Sequence, residues 1–341
     1  MRIVFAGSGT FGLPALRALV EGGQDVVLIV TQPDRPSGRG QVVRMGPIKW
    51  FARERNISII QPEDVNARPA LRRIRLVRPD LLLVVAYGQK IGPELLAMPR
   101  YGAINLHASL LPKYRGAAPI NWALINGETE TGLTVIAITE QIDAGDILAQ
   151  RATPIEPDET AGELQERLSR LGAQLVTEVV RDLSLEEVER RRQTDTQATL
   201  APRLKKSDGH IAWDRTAQEV YDRIRGATPW PGAFTHLQVP GGLRSHSDRR
   251  EHGRNGGKLP VRLVIDKAAL LPIAARGDPG AVQAVGPDGI DVATAKGAIR
   301  LVQLTPAGKR TMSAADFANG YRVKPGARFL PGQEESDADR D

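Results

Sequence analysis

Asn105 and His107, two residues apart in GAINLHAS, are a pair able to act on one atom. If that segment is a strand, its period of two turns both side chains to the same face. An amide donor beside an imidazole at the exit of a strand can meet a developing oxyanion and handle a proton next to it. Asp143, in EQIDAGDIL, follows a second apolar run and precedes a glycine, where a loop could bring its carboxylate to His107 or to a reacting amine. The trio suits acyl transfer. Taken singly, each has a plainer reading: an asparagine that caps a turn, a satisfied polar histidine, an ordinary Asp-Ala-Gly turn. Ser109, Leu110, Leu111 and Pro112 come next, and the two leucines beside a rigid proline read as an exposed apolar wall for a flat ligand. Core packing is the bland alternative for the same residues.

A second motif lies at the start. Gly7, Gly9 and Gly12 satisfy G-x-G-x-x-G directly after the strand-like RIVFA and before a helical pattern, the context of a dinucleotide fingerprint. That fingerprint also wants an acidic residue closing the second strand, whereas VVLIVT runs into Gln32 and Pro33, with Asp34 only later in a proline-rich loop. Close packing of a helix on a sheet uses the same glycines, and this reading is preferred to a nicotinamide oxidoreductase.

These groups need elements to position them. From the start to about residue 180, short apolar runs alternate with helical patterns, which predicts a parallel α/β sheet. VVLIV and LLLVV lack polar alternation and read as central strands covered on both faces. AGELQERLSRLGAQLVTEVVRDL has apolar spacings of three and four and reads as an amphipathic helix. Periodicity then gives way to charge and turn formers. The expected division is a catalytic domain over 1–188, a linker over 189–206, a small β-barrel domain over 207–330 built from short strands punctuated by glycine and proline, and a disordered tail over 331–341. The basic, glycine-rich GGLRSHSDRREHGRNGGK interrupts the barrel pattern and reads as a mobile loop.

Composition narrows the chemistry. The 341 residues contain no cysteine, so disulfide, zinc-thiolate, iron–sulfur and thiol-nucleophile mechanisms are excluded. No apolar run approaches the ~20 residues of a membrane span, and the start lacks the pattern of a signal peptide, so a soluble cytoplasmic protein is expected. Net charge is +6, and residues 201–262 alone hold twelve basic and six acidic side chains, a surplus equal to the whole excess. Such a block fits a polyanion, although a solvated basic surface would look the same.

At HASLLPKYRGAAPI, followed by T-G-x-T and D-x-G-x-I, the sequence resembles the folate-dependent formyltransferases. TQPDRPSGRG, VVAYGQKI, the lysine-serine pair before DGHIAW, PWPGA and LTPAGKRTMSAADFANG make it similar, from Met1 to about Leu330, to the branch that formylates methionyl-tRNA. The resemblance implies a Rossmann-like domain joined to an oligonucleotide/oligosaccharide-fold-like barrel. It also implies formyl transfer from 10-formyltetrahydrofolate to the α-amine of initiator methionyl-tRNA. Asn105, His107 and Asp143 match the family's catalytic positions, and Ser109 to Pro112 match its tetrahydrofolate-binding motif. The chain departs from the pattern in reading GSGTFG where Gly-Thr-Pro is frequent, and in flanking Asp143 with Ile142 and Ala144 where Leu and Thr are frequent.

The other substrate would account for the charge. Arg35, Arg39 and Arg44, in the loop after the second strand, are expected to reach the tRNA acceptor stem, and Lys205, Lys206, Arg249, Arg250 and Arg254 to contact its phosphates. No metal and no membrane partner are expected, and the protein is expected to be a monomer. The alternatives are a formyltransferase for small amines or sugar nucleotides, a hydrolase of the same formyl donor, a nicotinamide oxidoreductase, and an RNA-binding module without turnover.

Overall fold

The computed structural model describes residues 1–37, 42–43, 45–238 and 260–330, with the side chains of residues 36, 37, 42 and 43 outside that description. The chain divides into two compact units, one of Met1–Ile120, Glu130–Ile155 and Glu163–Pro202, the other of Asn121–Thr129, Glu156–Gly162 and the chain from Arg203.

The first unit is built on one sheet. Its strands are β1 (Arg2–Gly7), β2 (Asp25–Val30), β3 (Ile59–Ile60), β4 (Leu81–Val85), β5 (Ala103–His107), β6 (Glu130–Ala137) and β7 (Ile147–Pro154), in the order β7-β6-β5-β4-β1-β2-β3. The run from β3 to β5 is parallel, while β6 and β7 are added antiparallel at one edge. All five residues of β4, LLLVV, are buried, as a strand covered on both faces requires. The covering helices include α1 (Leu13–Glu21), α2 (Pro47–Glu54), α3 (Arg68–Leu76) and α4 (Ala161–Leu185). In α1, proline near the first turn costs no hydrogen bond, and Ala15, Leu16 and Leu19 turn inward at helical spacing. α4 buries Leu164, Leu168, Val176, Val179, Val180 and Leu183 in the same way, and its Ser169 hydroxyl donates to the Phe11 carbonyl at 2.7 Å.

The polar stretch after α4 is not bare connection. Arg191 and Ile147 exchange both backbone hydrogen bonds, and Leu200–Ala201 pairs in parallel with Arg115–Gly116, so residues up to Pro202 group with the first unit.

The second unit is a curled antiparallel sheet. The strands β8 (Ala233–Gln238), β9 (Val261–Leu271), β10 (Val282–Gly286), β11 (Gly289–Ala293), β12 (Ala298–Pro306) and β13 (Arg328–Leu330) run in the order β10-β11-β12-β9-β8-β13. Backbone bonds from Phe329 to Gly280 at 2.8 Å and from Val282 to Ala327 at 2.9 Å bring the two ends of that order together. Trp213, Phe317 and Phe329 fill its core, where the Trp213 indole also donates to Thr235 at 3.0 Å. The helix α5 (Ala217–Ala227) packs on it, opened by a Thr216/Glu219 capping box.

Candidate active site

Asn105 and His107 lie on β5, which is held between β4 and β6 by the pairs Val84↔Asn105, Asn105↔Ile136 and His107↔Thr134. Their shared face follows from the strand period. The loop after β6 folds back over that face, placing Asp143 Oδ1 3.5 Å from Asn105 Nδ2 and Oδ2 3.6 Å from His107 Nδ1. The amide and the imidazole therefore share one carboxylate, 38 residues beyond Asn105 in sequence. Both contacts exceed the ordinary hydrogen-bond range, so Asp143 acts on its neighbours by charge and proximity. Side-chain exposure is 6% at His107 and 13% at Asp143, which leaves little water to screen that charge.

The remaining contacts fix the orientation of each group. His107 Nε2 lies 2.9 Å from the Tyr114 carbonyl. A carbonyl only accepts, so Nε2 carries a proton, and any second proton on the ring sits on Nδ1 beside Asp143. Asp143 Oδ2 also accepts the Gly116 backbone N–H at 2.9 Å. Asp143 (φ 50°) and Tyr114 (φ 61°) both have left-handed backbone, which for such residues costs on the order of 1 kcal/mol each and persists only where the surroundings enforce it. At Gly116 (φ 127°) a Cβ would lie 2.5 Å from the Ala201 carbonyl oxygen, so only glycine admits that strand pairing.

The segment from Ser109 to Pro112 differs from its sequence reading. Leu111 is 3% exposed and packs with Ile136 and Ile147, so the expected pair of exposed leucines is corrected to one buried and one half-buried side chain. The cause is a hydrogen-bonded turn: the Thr134 hydroxyl donates to the Ser109 carbonyl at 2.6 Å and accepts from the Leu111 N–H at 3.1 Å. Gln150 Nε2 donates to the Leu111 carbonyl at 2.9 Å. Ser109 itself is buried and donates to the Lys113 carbonyl at 2.6 Å. Leu110 and Pro112 remain half-buried at the surface, and Ile142, next to Asp143, is 68% exposed. These three side chains leave apolar area at the surface within the stretch of sequence that the polar trio spans.

Sequence reading missed Gln193, placed in the stretch expected as linker. It is buried, and its Nε2 donates to the carbonyls of Asp143 at 2.8 Å and Gly145 at 2.7 Å. Arg115 donates to its Oε1 through Nε at 3.1 Å and Nη2 at 2.8 Å. No periodicity or motif marked it.

The glycine turn after β1 is packed at Gly7 and Gly12, while a Cβ on Gly9 would meet nothing within 4 Å. A Cβ on Gly7 would lie 2.5 Å from Phe5 Cε1 and 2.9 Å from the Val85 carbonyl, and one on Gly12 would lie 3.2 Å from Phe5. Where a dinucleotide fold would hold an acid, the Gln32 amide donates to the Tyr87 carbonyl at 3.1 Å. Asp34 is bonded by Lys49 and Gln61, and these hydrogen bonds hold its carboxyl below the usual range. Among the tRNA candidates, Arg35 is exposed and 3.5 Å from Glu63, and Lys205 and Lys206 are exposed in the second unit. Arg39, Arg44, Arg249, Arg250 and Arg254 lie outside the described residues. Among the described residues no cluster of three metal-ligating side chains occurs, and no helix is long and apolar enough to cross a membrane.

Comparison with known proteins gives the family. Residues 1–180 match the family model "Formyl transferase", and residues 203–322 match "Formyl transferase, C-terminal domain". The chain is 43% identical to the methionyl-tRNA formyltransferase of Geobacter metallireducens over 96% of its own length and 98% of the relative's. It is 40% identical to that of Moorella thermoacetica with the same coverage. Among solved structures, the sugar 3N-formyl transferase WlaRD superposes with a TM-score of 0.62 at 18% identity, over 91% of this chain and 99% of that one, a likeness of fold. Matched in both its parts and along nearly its whole length, the chain belongs to the formyltransferase family, among the methionyl-tRNA formyltransferases.

Proposed function

We propose that this protein transfers the formyl group of 10-formyltetrahydrofolate to the α-amine of methionyl initiator tRNA. One observation carries the reading: Asn105, His107 and Asp143 converge in a chain 43% identical, end to end, to a methionyl-tRNA formyltransferase. The donor set fits an organic carbonyl substrate. It offers an amide, an imidazole and a carboxylate, with Leu110, Pro112 and Ile142 presenting apolar surface on adjoining loops for the flat ring of the formyl donor.

The amine lone pair attacks the formyl carbon, and the carbonyl π pair becomes an oxyanion. The Asn105 amide has two N–H groups, one turned toward Asp143 and one left for that oxyanion. His107, when doubly protonated, adds positive charge beside it. Asp143 offsets that charge and takes the proton the amine loses, directly or through a water. Collapse then breaks the bond from carbon to the folate nitrogen, which leaves with a proton. Lys205, Lys206 and Arg35, with Arg39 and Arg44, supply the positive charge that tRNA phosphates need, and the protein works as a cytoplasmic monomer in this reading.

The test incubates the protein with 10-formyltetrahydrofolate and charged initiator or elongator methionyl-tRNA and follows N-formylmethionine. The reading expects turnover of the initiator species. Absence of product, or formate release alone, would sink it. Affinity for tRNA should also fall with salt, each neutralised phosphate adding roughly 0.7 to 0.9 to the log–log slope, so Lys205→Ala with Lys206→Ala should flatten it by about 1.5 if both make contact. A double variant with the parental slope would remove those two lysines from the interface.

A further inference from the structure

We propose that residues 191–201 are a positioning strap for the reaction, with Gln193 placing Asp143 and Thr199 placing the carbonyl that holds His107. The proposal rests on the formyl-transfer reading of the site and adds residues that neither matched region contains, since those regions are 1–180 and 203–322.

The strap starts where Arg191 and Ile147 exchange backbone bonds of 2.8 and 2.9 Å. Two residues on, Gln193 uses all four hydrogen-bonding valences of its amide. Its two N–H groups go to the carbonyls of Asp143 and Gly145, and its oxygen accepts twice from Arg115, whose Nη2 also donates to Asp195 at 2.8 Å. Further along, the Thr199 hydroxyl accepts the Tyr114 N–H at 2.8 Å, and its carbonyl accepts the Arg115 N–H at 2.8 Å. The two residues pinned in this way, Asp143 and Tyr114, are the pair with left-handed backbone flanking His107. The strap therefore sits behind both ring nitrogens of the histidine: through Asp143 at Nδ1 and through Tyr114 at Nε2.

Only a glutamine-like amide supplies donors on one side and an acceptor on the other. Glutamate has the same size and keeps the bonds from Arg115, but it turns a second lone-pair-bearing oxygen toward two carbonyls and repels the Asp143 loop. Displacing a reacting group by about 1 Å can cost on the order of 100-fold. Gln193→Glu is therefore expected to lower single-turnover formyl transfer at least ten-fold. KM for both substrates should stay within two-fold, and the rate is read per folded molecule because the lost bonds to the two carbonyls also lower stability. In an Asp143→Asn background the same change should cost less than two-fold, because no carboxylate remains to be placed.

Three results overturn the strap: parental kcat in Gln193→Glu, a loss carried by KM, or an undiminished loss in the Asp143→Asn background. If Gln193→Glu does not fold, Gln193→Met removes the donors without adding charge and is read by the same criteria. Failure of the wild type to formylate initiator methionyl-tRNA would instead overturn the function. A fully active wild type with a fully active Gln193 variant overturns the strap alone.

Discussion

Two neighbouring strand ends in the parallel part of one sheet carry motifs that look functional in sequence, and they are built in opposite ways. After β1, Gly7 and Gly12 close on Phe5 and Val85 and make room for protein, whereas Gly9 (φ 69°) serves the turn itself with open space beside it. At β5, two strands away across β4, the side chains of Asn105 and His107 meet a carboxylate brought back by a loop, and the backbone around them is held in left-handed conformations by hydrogen bonds. Glycine spacing records where chains approach closely, and that approach serves packing as readily as phosphate binding. Polar side chains sharing one partner below ordinary exposure leave fewer uses open, because buried charge that contributes nothing costs stability.

If this contrast is right, chemistry should be sensitive at β5 and indifferent at β1. Asn105→Ala removes the proposed oxyanion donor while leaving β5 paired on both sides, and the expected loss is about 2.7 to 4 kcal/mol of transition-state stabilisation, or two to three decades in single-turnover rate. The rate of formyl transfer at saturating substrates checks it. A variant within five-fold of the parent would make Asn105 a strand residue and leave the histidine and aspartate as an isolated pair.

The β1 turn should respond in stability. Gly7→Ala puts a methyl group against the Phe5 ring and the Val85 carbonyl, both in the core, and overpacking of this kind costs typically 1 to 3 kcal/mol. A lowered melting temperature is expected, with the rate per folded molecule unchanged. NAD serves as the counter-probe. A ligand at a hundred times its dissociation constant adds about 2.7 kcal/mol, so millimolar NAD should leave the melting temperature where it is. A rise of several degrees would restore the dinucleotide reading and dissolve the contrast.

Much of this was legible before the structure, and the illegible part has a physical cause. The shared face of Asn105 and His107 needs only the strand period, and the buried strand β4 needs only an unbroken apolar run. The curled second sheet was foreshadowed by short runs between glycines and prolines. Leu111 was misread because an apolar side chain in a loop carries no mark of whether a Thr134 bond turns it inward. Gln193 was missed for a deeper reason: a polar residue among arginines and threonines has the composition of a solvated linker. Satisfaction by loop carbonyls and a half-buried guanidinium is a property of long-range geometry, which local composition does not encode.

The smallest effect concerns Tyr87, on the glycine side of the comparison. It is buried among apolar residues, and its hydroxyl has no hydrogen-bond partner among the described residues, unlike the imidazole of His107, which has an acceptor facing each nitrogen. Burial, with a contribution from Asp64, pushes its phenol up to about 12. In the unfolded chain the group titrates near 10, so between pH 10 and 12 the unfolded state loses a proton that the folded state keeps, and stability falls as pH rises through that window. Tyr87→Phe deletes an unpaired hydroxyl. At pH 8 it should be neutral or stabilising by up to about 1 kcal/mol, and above pH 10 its loss of stability should be shallower than the parent's, with Tyr221 titrating equally in both. Paired denaturation curves at pH 8 and at pH 11 measure both effects. Destabilisation by more than about 1 kcal/mol at pH 8 would mean that the hydroxyl has a partner. The β1–β4 end would then be a polar site like the one at β5, and the difference between the two ends would be one of degree.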